Sequence, residues 1–346
     1  MKHRYLFLLC AAAALLSGCS GKIASAQPPQ GTTAPITEAA RGGLKTGLGI
    51  VASTAGSKNA DPGSEGSAQT VMTMVALTLD ESGTIDQCII DSLQADVRFD
   101  ESGALLTDPK TQVVSKNALG QAYGLQKASS IGREWSEQAA AFAEYVRGRT
   151  MEEVRSIALD NSGKPGDAEL VASVTISVND FIAGIEAAAA SAADLGAQKG
   201  DVLRLASMAG ISGSSDGKAN FEANISAVTF RGDVVSSCVL DAVQTNVEFD
   251  TGGRITGDPA APVLSKNQLG RSYGMHTASS IGKDWNEQAA AFAAYAQDKT
   301  ANEIAGIAAD DGGRPADAEL RASVTIRIDD FQRLIAKAVQ AGSAQG

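Results

Sequence analysis

The residues of this 346-residue chain that could contact a ligand occur twice, 150 positions apart. Each copy has a tyrosine, a serine and one of the chain's two tryptophans in a short stretch: Tyr123, Ser130 and Trp135, then Tyr273, Ser280 and Trp285. Aromatic rings stack on flat molecules, and hydroxyl groups fix their orientation. The set therefore favours a flat polar ligand. Alternatively, each tryptophan anchors a helix in the core, and a nearby serine caps that helix.

The other reactive side chains argue against catalysis. Beyond the N-terminal segment the only histidine is His276, and its counterpart in the first copy is Gln126. The two copies therefore share no Ser-His-Asp set. The carboxylate Asp96 becomes Asn246, so a paired-acid mechanism is not repeated either. No Gly-x-x-x-x-Gly-Lys phosphate loop occurs. With so few histidines and cysteines, a Cys/His metal site is excluded by count. We predict no catalytic residue and no metal site.

The repeat extends well beyond these residues and defines the domains. Residues 115–145 and 265–295 align without a gap and are identical at 21 of 31 positions. The repeat length, 150 residues, is that of an autonomous domain. We predict two tandem copies of one domain, at 44–193 and 194–343.

Each copy is predicted to be an α+β domain, in which an antiparallel sheet packs with helices. Apolar runs separated by a glycine-containing turn predict a β-hairpin, and apolar residues at helical spacing predict helices. The expected elements of the first copy are strands at 71–79 and 84–93, a third strand ending at Phe99, a helix from Trp135 to Val146, a helix with a capping box at Thr150, a strand at 170–178 and a helix from Asp180.

The N-terminus predicts export and lipid attachment. Residues 1–19 have a basic start, a short apolar core and the ending Leu-Ser-Gly-Cys, which resembles the lipobox of bacterial lipoproteins. The resemblance implies that Cys19 carries lipid and anchors the chain on the extracytoplasmic side of the cell membrane. Residues 20–43 are rich in Pro, Gly, Ser and Thr and predict a flexible tether. The alternative is an ordinary cleaved signal peptide with an incidental cysteine.

The acidic composition argues against nucleic acid as a partner. The formal net charge is −11, and removing Lys2 and Arg4 with the signal peptide gives −11 − 2 = −13. Such a chain lacks the basic stripe that neutralises phosphates. Cys88 and Cys238 occupy equivalent places in the two copies. We interpret them as small apolar strand residues, with a disulfide between the copies as the alternative.

A resemblance adds a cofactor. The runs Glu169-Leu-Val-Ala-Ser-Val-Thr175 and Glu319-Leu-Arg-Ala-Ser-Val-Thr325, with the stretch that follows, resemble the FMN-binding domain of the sodium-pumping quinone reductase C subunit. That domain also occurs in tandem in a Gram-positive lipoprotein that passes electrons to extracellular acceptors. Its motif Asp-x-x-(Ser/Thr)-Gly-Ala-(Ser/Thr) ends on the residue esterified to the FMN phosphate. The resemblance implies FMN on Thr175 and Thr325, although only that last motif position matches. Alternatively, Thr175 lies on the polar side of a strand.

These observations leave three hypotheses for function. The first is a membrane-anchored electron carrier with one flavin per repeat and a redox partner at the cell surface. The second is a binding module, without redox chemistry, for a small molecule or a partner. The third is a structural module, in which the repeated residues 115–145 and 265–295 only stabilise the fold. The phrase at 115–145 also resembles uncharacterised Gram-positive surface lipoproteins.

Overall fold

The computed structural model describes residues 43–343, which belong to one compact unit. Within that range the chain forms two four-stranded antiparallel sheets and ten α-helices, which confirms the predicted α+β class. No helix in the described range has the length and apolarity needed to cross a membrane. The predicted signal peptide, Cys19 and almost all of the predicted tether lie outside the described residues.

Both sheets have their longest strands in an antiparallel hairpin. The first sheet has the order β3-β2-β1-β5 and the second has the order β4-β6-β7-β8. The strands are β1 Gly43–Ser53, β2 Gly66–Leu79, β3 Ile85–Phe99, β4 Gln112–Val113, β5 Ala193–Gln198, β6 Val202–Gly210, β7 Lys218–Arg231 and β8 Val234–Glu248.

The helices follow the same order in both repeats. In the first repeat they are α1 Lys116–Leu119, α2 Trp135–Val146, α3 Met151–Arg155, α4 Ala168–Val171 and α5 Asn179–Ser191. In the second they are α6 Lys266–Leu269, α7 Trp285–Ala296, α8 Ala301–Ala305, α9 Ala318–Arg321 and α10 Asp329–Ser343.

The two sheets pack face to face, and the helices of each repeat cover the outer face of its own sheet. Successive side chains of a strand point to opposite faces. On β2, Met72 and Met74 therefore join the core between the sheets, whereas Val75 and Leu77 join the core beneath α2 and α5. The layers run helix, sheet, sheet, helix. Because β2 is buried on both faces, its sequence reads as a nearly continuous apolar run.

The repeats are joined by reciprocal pairing as well as by packing. Strand β4 of the first repeat pairs with β6 of the second at Val113 and Ala209, and a matching antiparallel bridge joins Val263 of the second repeat to Ala52 on β1 of the first. Strand β5, at the boundary between the repeats, adds a further pairing with β1. Phe99 and its repeat counterpart Phe249 stack on each other, with ring centroids 3.8 Å apart. Matched contacts of this kind are those of an isologous, two-fold interface.

Most predicted elements are confirmed, and two predictions are wrong. Strand β2, helices α2 and α5, and the capping box at Thr150 are present. The expected second and third strands form one strand, β3. The expected strand at 170–178 is helix α4 followed by a turn. The side chain of Asp167 accepts hydrogen bonds from the N–H groups of Glu169 and Leu170, so this cap starts a helix there.

Candidate functional site

The tryptophan of each repeat lies in the core at the start of a helix. Trp135 is 6% exposed and meets the ring of Phe181 edge to face. The ammonium nitrogen of Lys116 lies 5.0 Å from the Trp135 ring and 4.9 Å from the Tyr123 ring. Cation–π attraction holds Lys116 beside these two rings. The rings therefore already have an internal partner where a ligand was expected to stack.

The second repeat has the same arrangement. Trp285 is 6% exposed and packs against Phe331. Lys266 lies 5.0 Å from the Trp285 ring and 4.9 Å from the Tyr273 ring. The environment of both tryptophans is the one given by the alternative, in which they anchor a helix in the core.

The repeated Ser-Lys-Asn string is tied to a buried carboxylate. Asn117 donates its backbone N–H to Asp91 Oδ1 at 3.0 Å, and its side-chain amide donates to the Ile90 carbonyl at 2.8 Å. Burial raises the pKa of Asp91, and a hydrogen bond from Ser115 opposes that rise. The string therefore attaches helix α1 to strand β3.

Gln138, which sequence reasoning did not select as a site residue, connects the repeated phrase to Thr175. Its side chain is fully buried. Its Oε1 accepts the backbone N–H of Thr175 at 2.8 Å and the Thr175 hydroxyl at 3.3 Å. Its amide nitrogen donates to the Arg133 carbonyl at 3.1 Å. The signal available in the sequence was a glutamine at the same place in both repeats, Gln138 and Gln288.

A cleft of about 600 Å³ lies beside this junction. It brings together two predicted site residues, Ser130 and Thr175, but neither Tyr123 nor Trp135 lines it. Its polar and charged lining consists of Ser129, Ser130, Gln138, Asp160, Lys164, Thr175 and Ser177. Its apolar lining consists of Leu125, Ala128, Pro165, Val171, Val174 and Ile176. Apolar walls with a few convergent polar groups are typical of small-molecule sites.

The cleft suits one end of FMN and not the other. Lys164 and the Thr175 hydroxyl are of the chemistry that holds a phosphate. The isoalloxazine ring is large, flat and aromatic, and none of the residues that line the cleft is aromatic. The lining as a whole therefore does not fit the flavin ring.

The second repeat keeps the same framework with different walls. Gln288 Oε1 accepts the backbone N–H of Thr325 at 2.7 Å and the Thr325 hydroxyl at 3.1 Å. Ser280 and Thr325 thus keep the places of Ser130 and Thr175, whereas Arg321 replaces Val171. The two repeats share a scaffold and differ in what they present to solvent.

The two cysteines among the described residues form no disulfide with each other. Cys88 and Cys238 are free thiols, so the alternative prediction of a disulfide between them is wrong. Burial raises the pKa of both thiols to about 12, so they stay protonated at neutral pH. Within residues 43–343 no group of three or more His, Cys, Asp or Glu is placed to hold a metal ion.

No family model, curated protein or solved structure matches this chain. The resemblance to the FMN-binding domain therefore depends on residues 169–175 and 319–325 and the stretch that follows each.

Proposed function

We propose that this protein is a lipid-anchored extracytoplasmic binding protein that takes a small polar molecule in the cleft of its first repeat. Cys19 holds the chain at the membrane, and the tether carries the folded unit away from it. The proposal needs no redox chemistry and no catalytic residue.

One observation carries the proposal: Ser130 and Thr175, which are 45 positions apart in sequence, line the same 600 Å³ cleft with Lys164. Two hydroxyl groups and an ammonium group give directional contacts, while Leu125 and Val171 give apolar walls. A molecule with one anionic or hydroxyl-rich end and a short apolar body matches this lining.

The test uses ligand-detected NMR on the soluble chain that starts at Ser20, with a panel of small polar molecules. Ala128 lines the cleft and is exposed, so Ala128→Trp fills the space without removing a buried hydrogen bond. The matched control is Ala278→Trp in the second repeat. We expect the binders to be lost in the first variant and kept in the second. A panel in which both variants keep every binder would show that the cleft is not the site.

Lys164 and Thr175, which suit the phosphate end of FMN, support a second candidate, an FMN-binding electron carrier whose flavin ring lies outside the cleft. The soluble chain would be produced together with a flavin transferase and its intact mass measured. A colourless protein of unmodified mass favours the first proposal. A yellow protein that carries the added mass of one FMN per repeat favours the second. The double variant Thr175→Val/Thr325→Val should then have the unmodified mass.

A further inference from the structure

The sequence differences between the two repeated phrases cluster at one place in the structure. Residues 115–145 and 265–295 differ at ten positions. Four of these positions line a single cavity of about 340 Å³ in the second repeat, where Arg271, His276, Asp284 and Asn286 replace Gln121, Gln126, Glu134 and Ser136. Gly282 and Glu287 complete the lining. This cavity is separate from the cleft beside Thr175, and the inference is independent of the proposed function.

Two of the replaced residues, His276 and Asp284, contact each other. In the first repeat the Glu134 carboxylate accepts two backbone N–H groups, from Leu125 at 2.9 Å and Gln126 at 3.0 Å. In the second repeat the shorter Asp284 accepts the backbone N–H of His276 at 2.9 Å and lies 3.3 Å from the imidazole Nδ1. The histidine ring therefore replaces one of the backbone contacts to the carboxylate.

This contact uses Nδ1 and leaves the Nε2 edge of the imidazole available to a ligand. A carboxylate can only accept, so Nδ1 carries the hydrogen in this contact, and in that tautomer Nε2 is an acceptor. Glu287 uses one carboxylate oxygen, Oε2, to accept the Asp284 N–H at 2.7 Å. The Oδ1 atom of Asn286 is buried and has no partner among the described residues. An unsatisfied acceptor of this kind gains free energy if the amide turns toward a donor.

The cavity thus combines one cationic donor with several acceptors. Arg271 is exposed and forms no ion pair with any described residue. Its planar guanidinium matches a carboxylate in two-point geometry. Glu287 and His276 offer acceptors to an ammonium group, and Asn286 adds another if its amide turns toward the cavity. A simple anion would meet Asp284 and Glu287, and a simple cation would meet Arg271.

We propose that this cavity binds the zwitterionic end of a small amino acid, with the carboxylate on Arg271 and the ammonium on Glu287 and His276. The first repeat has neutral Gln121 and Gln126 at the corresponding places and lacks this site. Duplication has thus kept one scaffold and given its second copy a ligand of its own.

The experiment compares three matched probes: glycine, acetate and methylammonium. Glycine carries both charged groups, and each of the others carries one. The soluble chain from Ser20 is titrated with each probe and followed by two-dimensional NMR of its backbone and arginine N–H groups. We expect glycine to bind with a Kd about tenfold or more below that of either single-charge probe, because both charged contacts form together.

Two variants restore the residues of the first repeat and so keep a fold that the chain already uses. Arg271→Gln and the double change His276→Gln/Asp284→Glu should each weaken glycine binding about tenfold or more. Gln126→His in the first repeat is the control and should leave the affinity unchanged. Equal midpoints of thermal unfolding show that the variants are folded. The proposal is overturned if acetate or methylammonium binds as tightly as glycine, if glycine does not bind, or if both variants keep the affinity.

Discussion

At the scale of single residues, the polar side chains of the repeated phrase are explained by internal hydrogen bonds. Gln138 bonds to backbone groups of Thr175 and Arg133, and Asn117 bonds to the Ile90 carbonyl. The sequence could predict that these residues matter, because both repeats have them. It could not predict what they contact, because Gln138 and Thr175 meet only after the chain has folded.

Asp241 makes stability depend on pH. Burial raises the pKa of Asp241 to about 6. Hydrogen bonds from Ser265 and Asn267 oppose this rise. An unfolded aspartate titrates near pH 4, so the folded state binds more protons between about pH 4 and 6. The contribution of Asp241 to stability is therefore fully present below pH 4 and is lost as the pH rises through 6.

The substitution Asp241→Asn removes this dependence. From pH 4 to pH 7, the free energy of unfolding of the variant should rise relative to wild type by up to about 3 kcal/mol. Urea denaturation across this pH range measures the change. Asp233→Asn, at an exposed turn, is the control. A difference between Asp241→Asn and wild type that does not vary with pH would contradict the prediction.

At the scale of elements, local signals were reliable and long-range ones were not. The capping box at Thr150 and the apolar spacing from Trp135 to Val146 predicted α3 and α2, because both depend on neighbours along the chain. Apolar and polar residues alternate at 170–178, which is typical of a strand, but no strand forms there. Strands need a partner, and the backbone N–H of Thr175 bonds instead to the Gln138 side chain. The cleft beside it was unpredictable for the same reason.

Gln138 should therefore be a structural link between helix α2 and the Thr175 turn. Gln138→Leu leaves the partly buried N–H of Thr175 without its acceptor, which costs about 1–3 kcal/mol of unfolding free energy. Chemical denaturation measures the loss, and amide hydrogen exchange at Thr175 should accelerate. Gln288→Leu makes the same change in the second repeat and should expose Thr325 only. An unchanged exchange rate at Thr175 would refute this role.

At the scale of the whole molecule, the duplication is visible in sequence but the reciprocal pairing is not. Ala60 donates its N–H to the Gly253 carbonyl at 2.8 Å, and Gly217 donates to the Gly103 carbonyl at 3.0 Å. With β4 and β5 each paired across the repeats, neither sheet is complete without residues of the other repeat or the boundary between them. Two repeats of domain length therefore form one compact unit with a shared core.

This architecture predicts a single unfolding transition for both repeats. The core between the sheets belongs to both, so loss of one repeat exposes apolar surface of the other. Calorimetry should give equal calorimetric and van't Hoff enthalpies. Phe99 is fully buried and stacks on Phe249, so Phe99→Ala should lower the stability of the whole unit by about 3–5 kcal/mol without dividing the transition. Phe142→Ala, in the core of the first repeat alone, is the comparison. Two resolved transitions in the wild-type chain would mean that the repeats are energetically separate despite their interlocked strands.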